Sequence, residues 1–327
     1  MNIVRPITSF PARTETAPIH LWIYNHPFVG ISDQIEFFLS ILRQHGQTVS
    51  VGRHPLPNGL NVVIENFSDP TARILMNFCQ ATSKRVAVIM TEHLDFVDDE
   101  IHIHGTPLQN DNDYMHPATQ AARIKCLMDC ACYIRAFLVL GDLPELRNIG
   151  HMMPGLALRT LPFPRIHPPA GPASWAALPA DLVFTGVVTG YRAELLGKLQ
   201  RMLTVQYPST FLSRKARDQF SKTGRLVLNL PQRPDWRWLS LMRIIAALRC
   251  GRATVSLGTN DASQIAACCL QLDITQLGWE LRLRDMISQP GEMFRKMLAQ
   301  YHVMAEAFAA AHPFPLDFFE YWAITEL

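Results

Sequence analysis

Two arginines stand in segments that give them no obvious partner. In FTGVVTGYRAELLGKLQ (184–200) an apolar strand breaks at Gly186 and restarts as a helix at Tyr191 and Arg192. Gly186 and Gly190 let the backbone come close to a bound group, the helix N-terminus offers unbonded N–H donors, and Arg192 adds a forked cation. That combination suits an anion. The competing reading is a solvated arginine in the first turn of a surface helix, a placement that the helix dipole slightly opposes. Arg243, in WLSLMRIIAALRCG, lies among apolar neighbours and needs an anion of its own, either a bound diphosphate or a buried carboxylate. Lys215, Arg217 and Lys222 form a basic stretch that reads first as a solvated helix face, with a phosphate contact from one of them as the alternative.

Composition makes any such role local. The 30 basic residues nearly cancel the 28 acidic ones, leaving a formal net charge of +2, with no general drive toward nucleic acid or membrane. At 327 residues, 48% hydrophobic and 18% charged, the chain is long enough for two domains with real cores. No apolar run approaches the roughly 20 residues that cross a bilayer, and the N-terminus has no compact apolar signal core, so a cytoplasmic protein is expected. The seven cysteines contain no CxxC pair and read as reduced core thiols. His93, His102 and His104, near Asp95, Asp98 and Asp99, have no helical ligand spacing and read as a solvated loop with a short alternating strand, EIHIHG. No metal or other cofactor is expected.

The positioning elements alternate. IHLWIYN (19–25) is a buried strand, followed by a helix that Ser32 or Asp33 can cap and that stops at QHG. TVSVG, LNVVIENF, a helix over about 70–82, RVAVIMTEH, a helix over about 117–135 and AFLVLGD continue the rhythm. A proline-rich stretch between about 150 and 180 reads as a linker. The alternation restarts with DLVFTGVV, a helix over 191–203, LTVQYP, a helix over about 214–221, LVLNLP, a helix over about 236–250 and ATVSLG, and closes in helices. The expected fold is therefore α/β, with two tandem Rossmann-like doubly wound domains: a first domain over 1–160, a connection over 161–180, and a second domain over 181–327. Strand carboxyl ends then face an interdomain cleft.

At this point the residues resemble a known family. DLVFTGVVTGYRAELLGKL is similar to the strand, glycine turn and helix that open the nucleotide-sugar domain of bacterial glycosyltransferases of the GT-B fold. RDQFSKTGRLVLNLPQRPDWRWLSLMRIIAALRCGRATVSLG resembles their later donor segment, and GISDQIEFFLSILRQHGQTVSV the first glycine turn and helix of their acceptor domain. The resemblance implies a nucleotide-sugar donor and a glycan, lipid or protein acceptor. It puts Gly186, Gly190, Tyr191, Arg192, Lys215 and Arg243 on the donor side. Thr259, Asn260 and Asp261, in SLGTND after a strand, can bond donor hydroxyls, or form a plain turn.

One departure bears on mechanism. Many retaining members carry two glutamates whose matching positions here are Trp238 and Ala246. Inversion is then the simplest chemistry, and it needs a base that takes the acceptor's proton. Glu92, His93 and Asp95, in TEHLDF after VAVIM, are the candidates, with Glu92 first. His26, Gly30 and Glu65 are acceptor-side residues behind them, and each polar residue at a strand end can instead be a cap or hinge. A nucleotide-sugar epimerase or hydrolase, or a non-catalytic nucleotide-sugar-binding relative, would use the same donor pocket. A Rossmann oxidoreductase is disfavoured, since no G-x-G-x-x-G follows a predicted strand.

Overall fold

The computed structural model describes residues 17–24, 28–65, 67–91, 94–98, 100–103, 106–107, 116–143, 153, 155–167, 169, 171–234, 236, 238–258 and 260–326. In the first half the strands are β1 (Ile19–Trp22), β2 (Val49–Gly52), β3 (Leu60–Ile64) and β4 (Val86–Met90). The small antiparallel insertion of β5 (Leu94–Val97), β6 (Glu100–Ile103) and β7 (Thr106–Pro107) follows, then β8 (Ile134–Leu140) and β9 (Ala157–Leu161). All but the insertion form one parallel sheet in the order β2-β1-β3-β4-β8-β9. Every position of LNVVI and VAVIM is buried, because crossover helices cover both faces of such a sheet. Those helices are α1 (Phe28–Gln44), α2 (Asp69–Thr82) and α3 (Pro117–Asp129). A reciprocal cap fixes the start of α2: the Ser68 side chain accepts from the Thr71 N–H, and the Thr71 hydroxyl oxygen accepts from the Ser68 N–H.

The second half repeats the plan. Strands β10 (Ala180–Val183), β11 (Val205–Gln206), β12 (Gly224–Asn229), β13 (Thr254–Leu257) and β14 (Leu270–Leu272) form a parallel sheet in the order β11-β10-β12-β13-β14. Its helices are α4 (Gly190–Gln200), α5 (Arg214–Ser221) and α6 (Leu241–Arg249). Then come α7 (Trp279–Ser288), the long α8 (Pro290–Ala311) and α9 (Leu316–Glu326). The architecture is thus two Rossmann-like doubly wound sheets in tandem, as the resemblance to GT-B enzymes implies. The last helix returns to the first sheet, where Glu326 accepts from the backbone N–H and the Nε–H of Arg85, each at 2.9 Å. Among the described residues no helix is long and apolar enough to cross a membrane.

The local expectations need correction at four places. Helix α1 begins at Phe28, so Ser32 and Asp33 lie within it rather than capping it, and Gly30 is a residue of its first turn. The helix expected over 117–135 stops at Asp129, because Ile134–Leu140 is apolar enough to be drawn into the sheet as β8. The proline-rich connection hides a strand: LALRTL supplies β9, whose prolines lie outside the paired segment and therefore cost no ladder bonds. Helix α6 starts at Leu241, not 236, which moves Arg243 from mid-helix into the first turn.

Helix α1 also ties the halves together. Arg217 of α5 donates to Asp33 at 2.6 Å, Arg214 meets Glu36 at 2.9 Å, and Arg249 of α6 lies 3.7 Å from each carboxylate. Asp33 and Arg217 border the cleft.

Candidate functional site

Arg192 and Arg243 converge on one aromatic ring. Their guanidinium carbons stand 5.4 and 5.5 Å from the ring centre of Phe184, the residue that follows β10. Arg192, on the first turn of α4, is buried and donates from Nε and Nη2 to the Leu230 carbonyl at 3.0 and 2.7 Å, and from Nη1 to the Val187 carbonyl at 2.8 Å. It thereby joins the loops that follow β10 and β12. Arg243 is half-buried and donates from Nη1 to Asn229 Oδ1, while Asn229 Nδ2 donates to Ser256 Oγ at 2.9 Å. Asn229 follows the buried apolar run Leu226–Leu228 of β12, and it orients the arginine.

Among the described residues neither guanidinium has a carboxylate within salt-bridge distance. Burial pushes Arg192 down to about 9, aided by repulsion from Arg243. It pushes Arg243 down to about 10, with Asp33 working against the shift and Arg217 with it. Both remain charged at neutral pH, so the pocket holds two cations whose burial is offset mostly by carbonyl and amide dipoles. An arriving anion would supply the missing countercharge. Gly186 is required by the same arrangement: a Cβ there would stand 2.6 Å from the Phe184 ring and 2.9 Å from Arg243 Nη2.

The cleft has two chambers that meet at Arg192 and Arg243. One, of about 240 Å³, is lined by Asp33, Gly186, Arg192, Arg217, Ser240 and Arg243 among others, and carries three arginines. Helix α6 points its amino end here; Ser240, its N-cap, makes no side-chain cap bond, and the dipole adds positive potential. The other, of about 210 Å³ and here called the tryptophan chamber, mixes apolar walls with polar groups, among them Gln34, Thr91, Asn229, Gln232 and Ser240. It is walled by Met90, Leu140 and Leu143 from the first half and by Leu230, Pro231, Trp236, Trp238, Leu241 and Met242 from the second. Met90 and Leu140 end β4 and β8 while Asn229 ends β12, so strand carboxyl ends of both sheets open on this space.

The remaining candidates divide. Gly30 borders the arginine chamber. Gly190 is exposed with nothing near a Cβ, so the turn does not need glycine there; Thr189 caps α4 instead. Tyr191 packs its hydroxyl toward Gly258 and borders neither chamber. Lys215 is exposed on α5, and it is Arg217 from the same basic stretch that enters. Asp261 fastens its loop: it accepts from the N–H groups of Leu239 and Ser263 at 2.8 and 2.7 Å, and it borders neither chamber. Asn260 is exposed beside it. Glu65 is buried next to Thr91 of the tryptophan chamber and accepts from Arg123 Nη2 at 2.7 Å and from the Thr91 hydroxyl at 3.3 Å. His26, Glu92, His93 and Thr259 lie outside the described residues, as does the side chain of Asp95. Trp238 borders the tryptophan chamber and Ala246 the arginine chamber.

Sequence reasoning passed over Phe184, Asn229 and the role of Asp33. A lone amide closing the run LVLN was the available signal for Asn229, whereas nothing local marks a phenylalanine that two distant arginines will share.

Asp33 gives the arginine chamber a pH dependence. Burial raises its carboxyl, more than Arg217 and Arg249 lower it. The group therefore takes up a proton above the ordinary carboxylate range of about 3.9, and the chamber loses a negative charge as pH falls. Sulfate keeps its charge as pH falls from neutrality, so its affinity should be higher at an acidic pH than at neutral pH in the native protein, and the gain should be smaller in Asp33→Asn. Calorimetric titration at both pH values checks this; equal slopes for the two proteins would refute it.

No known family profile matches the sequence, and no curated protein matches it. Among solved structures, the chain is similar to the DNA-modifying enzyme beta-glucosyltransferase crystallised in the presence and absence of its substrate uridine diphosphoglucose, with TM-score 0.46 and 11% identity over 90% of this chain and 99% of that one. A UDP-glucosyltransferase from Polygonum tinctorium, in complex with 3,4-dichloroaniline, gives TM-score 0.46 and 9% identity over 95% and 99%. TarM gives TM-score 0.43 and 9% identity over 81% of this chain and 54% of that one, so the chain spans about half the length of TarM. These likenesses concern the path of the chain, and none assigns a residue of the site.

Proposed function

We propose that the cleft moves a sugar from a nucleotide-sugar donor to an acceptor hydroxyl by a single, inverting displacement. The observation that carries the reading is the pair of uncompensated guanidiniums, Arg192 and Arg243, beside the amino end of α6. As the bond between the anomeric carbon and the diphosphate breaks, negative charge grows on the leaving group, and preformed positive charge at that point lowers the barrier. Arg243 meets the diphosphate, Arg192 holds the two loops around it, and Asn229 fixes the approach. The guanidiniums perform this task without requiring a metal ion.

The tryptophan chamber takes the acceptor on the other side of Arg243. Met90 and Thr91 line it, and Glu92 is the next residue in the chain. Glu92 is the proposed base, with His93 and Asp95 behind it. Glu65 is a poorer base, because Arg123 and Thr91 already engage both of its oxygens. Inversion is favoured because Trp238 and Ala246 stand where a retaining relative would carry carboxylates. Proton NMR of the first-formed product tests the reading through the anomeric coupling: the configuration opposite to the donor's supports single displacement, and the donor's own configuration contradicts it.

A further inference from the structure

We propose that Trp236 is a positioning residue: a side chain of the second half, seated in the core of the first, that sets the width of the cleft before any ligand arrives. The inference does not depend on what the cleft transfers. Trp236 belongs to the loop between β12 and α6, yet it is only 9% exposed and lies in a hydrophobic cluster whose other described members all come from the first half. That cluster joins α2 and α3 to their face of the first sheet, through Leu75 and Cys79, Ile124 and Leu127, and the strand residues Val63, Val88 and Val139. Met90, at the end of β4, belongs to the cluster and lines the same chamber as Trp236. Withdrawing an indole from such a seat would return a large apolar surface to water, so the loop stays docked.

Three further attachments oppose any swing of the halves. On the other face of the first sheet, Phe37 and Ile41 of α1 share a core with Ile244 and Leu248 of α6, and Arg217 donates to Asp33 at 2.6 Å. At the end of β8 the Gln264 N–H donates to Asp142 Oδ2 at 3.0 Å, and a Cβ on Gly141 would stand 3.3 Å from Leu241 Cδ1. At the amino end of β4, Glu326 holds Arg85. A hinge needs its crossings to share one axis, whereas these lie on both faces and at both ends of a single sheet. The cleft is a fixed frame. Thr91 and Arg243, from different halves, border one chamber across a preset gap, so a ligand that fits it loses less to ordering than one that must draw two bodies together.

Small-angle X-ray scattering of the full chain, of Trp236→Ala and of Trp236→Phe tests this, each with and without millimolar pyrophosphate as the probe anion. The native chain is expected to keep one radius of gyration in both conditions. Trp236→Ala should be larger by on the order of 1 Å without the anion, and Trp236→Phe, which refills most of the seat, should return to the native value. Melting curves accompany each sample, because losing a buried tryptophan also lowers stability. If Trp236→Ala has no cooperative melt, Trp236→Leu takes its place; if that variant also fails to fold, Trp236 is an ordinary core residue and the inference falls. Contraction of the native chain on adding pyrophosphate, or a folded Trp236→Ala with the native profile, overturns it as well. None of these outcomes requires sugar transfer, so failure here leaves the transfer reading standing.

Discussion

Arg243→Met should weaken nucleoside diphosphate binding roughly 100-fold while leaving the unliganded protein as stable as before, or more so. The two halves of this expectation have one cause. Arg243 meets no carboxylate among the described residues, and burial already depresses its pKa to about 10, so its charge is a cost to the folded state that methionine removes. The same charge is what a diphosphate would bond, and losing charge-assisted bonds worth about 2–3 kcal/mol corresponds to a factor of about 30–150 in affinity. Arg192→Met should behave oppositely in stability, because three donor bonds to the Val187 and Leu230 carbonyls go with it. Thermal melting paired with calorimetry separates the two. A destabilised Arg243→Met would mean that its bond to Asn229 matters more to the fold than to a ligand.

Glu92→Gln should lower sugar transfer by roughly 100-fold or more with donor binding near normal. Glutamine keeps the shape and removes the base, so the deficit belongs to the proton transfer and not to the arginine chamber. Thr91, immediately before it, borders the tryptophan chamber, which is why this position is preferred over Glu65, whose carboxylate is held by Arg123. Rates measured at saturating donor and acceptor decide the matter. Near-native transfer by Glu92→Gln would move the base to His93 or Asp95 or end the proposal.

The sheets were legible because LNVVI, VAVIM and LVLN are apolar runs too short for helices, and alternation with amphipathic segments leaves a parallel sheet as the economical solution. Strand β9 was not, since ALRTL mixes polar and apolar residues and prolines crowd its flank; only its pairing with β8 makes it a strand. In the site, Arg192 and Arg243 stood out because each is chemically expensive where it sits. What could not be read was their shared position over Phe184, which depends on how β10 and α6 come together across some sixty residues of chain. Asp33 illustrates the same limit. Its place after VGIS suggested a cap, whereas the fold uses it to hold Arg217 across the cleft. Asp261, for its part, satisfies loop N–H groups, a role that turn-forming residues fill as readily as ligand binding.

The central claim is that the arginine chamber exists to hold the diphosphate of a nucleotide sugar, and calorimetry on the native chain tests it most directly. Uridine, guanosine, adenosine, thymidine and cytidine diphosphates are titrated in turn, each beside its parent nucleoside. At least one diphosphate should bind with one-to-one stoichiometry, and tighter than its nucleoside by roughly 100-fold, since the phosphates carry the charge that Arg192 and Arg243 await. Failure of every diphosphate to bind at millimolar concentration, or equal binding of a nucleoside and its diphosphate, would contradict the account.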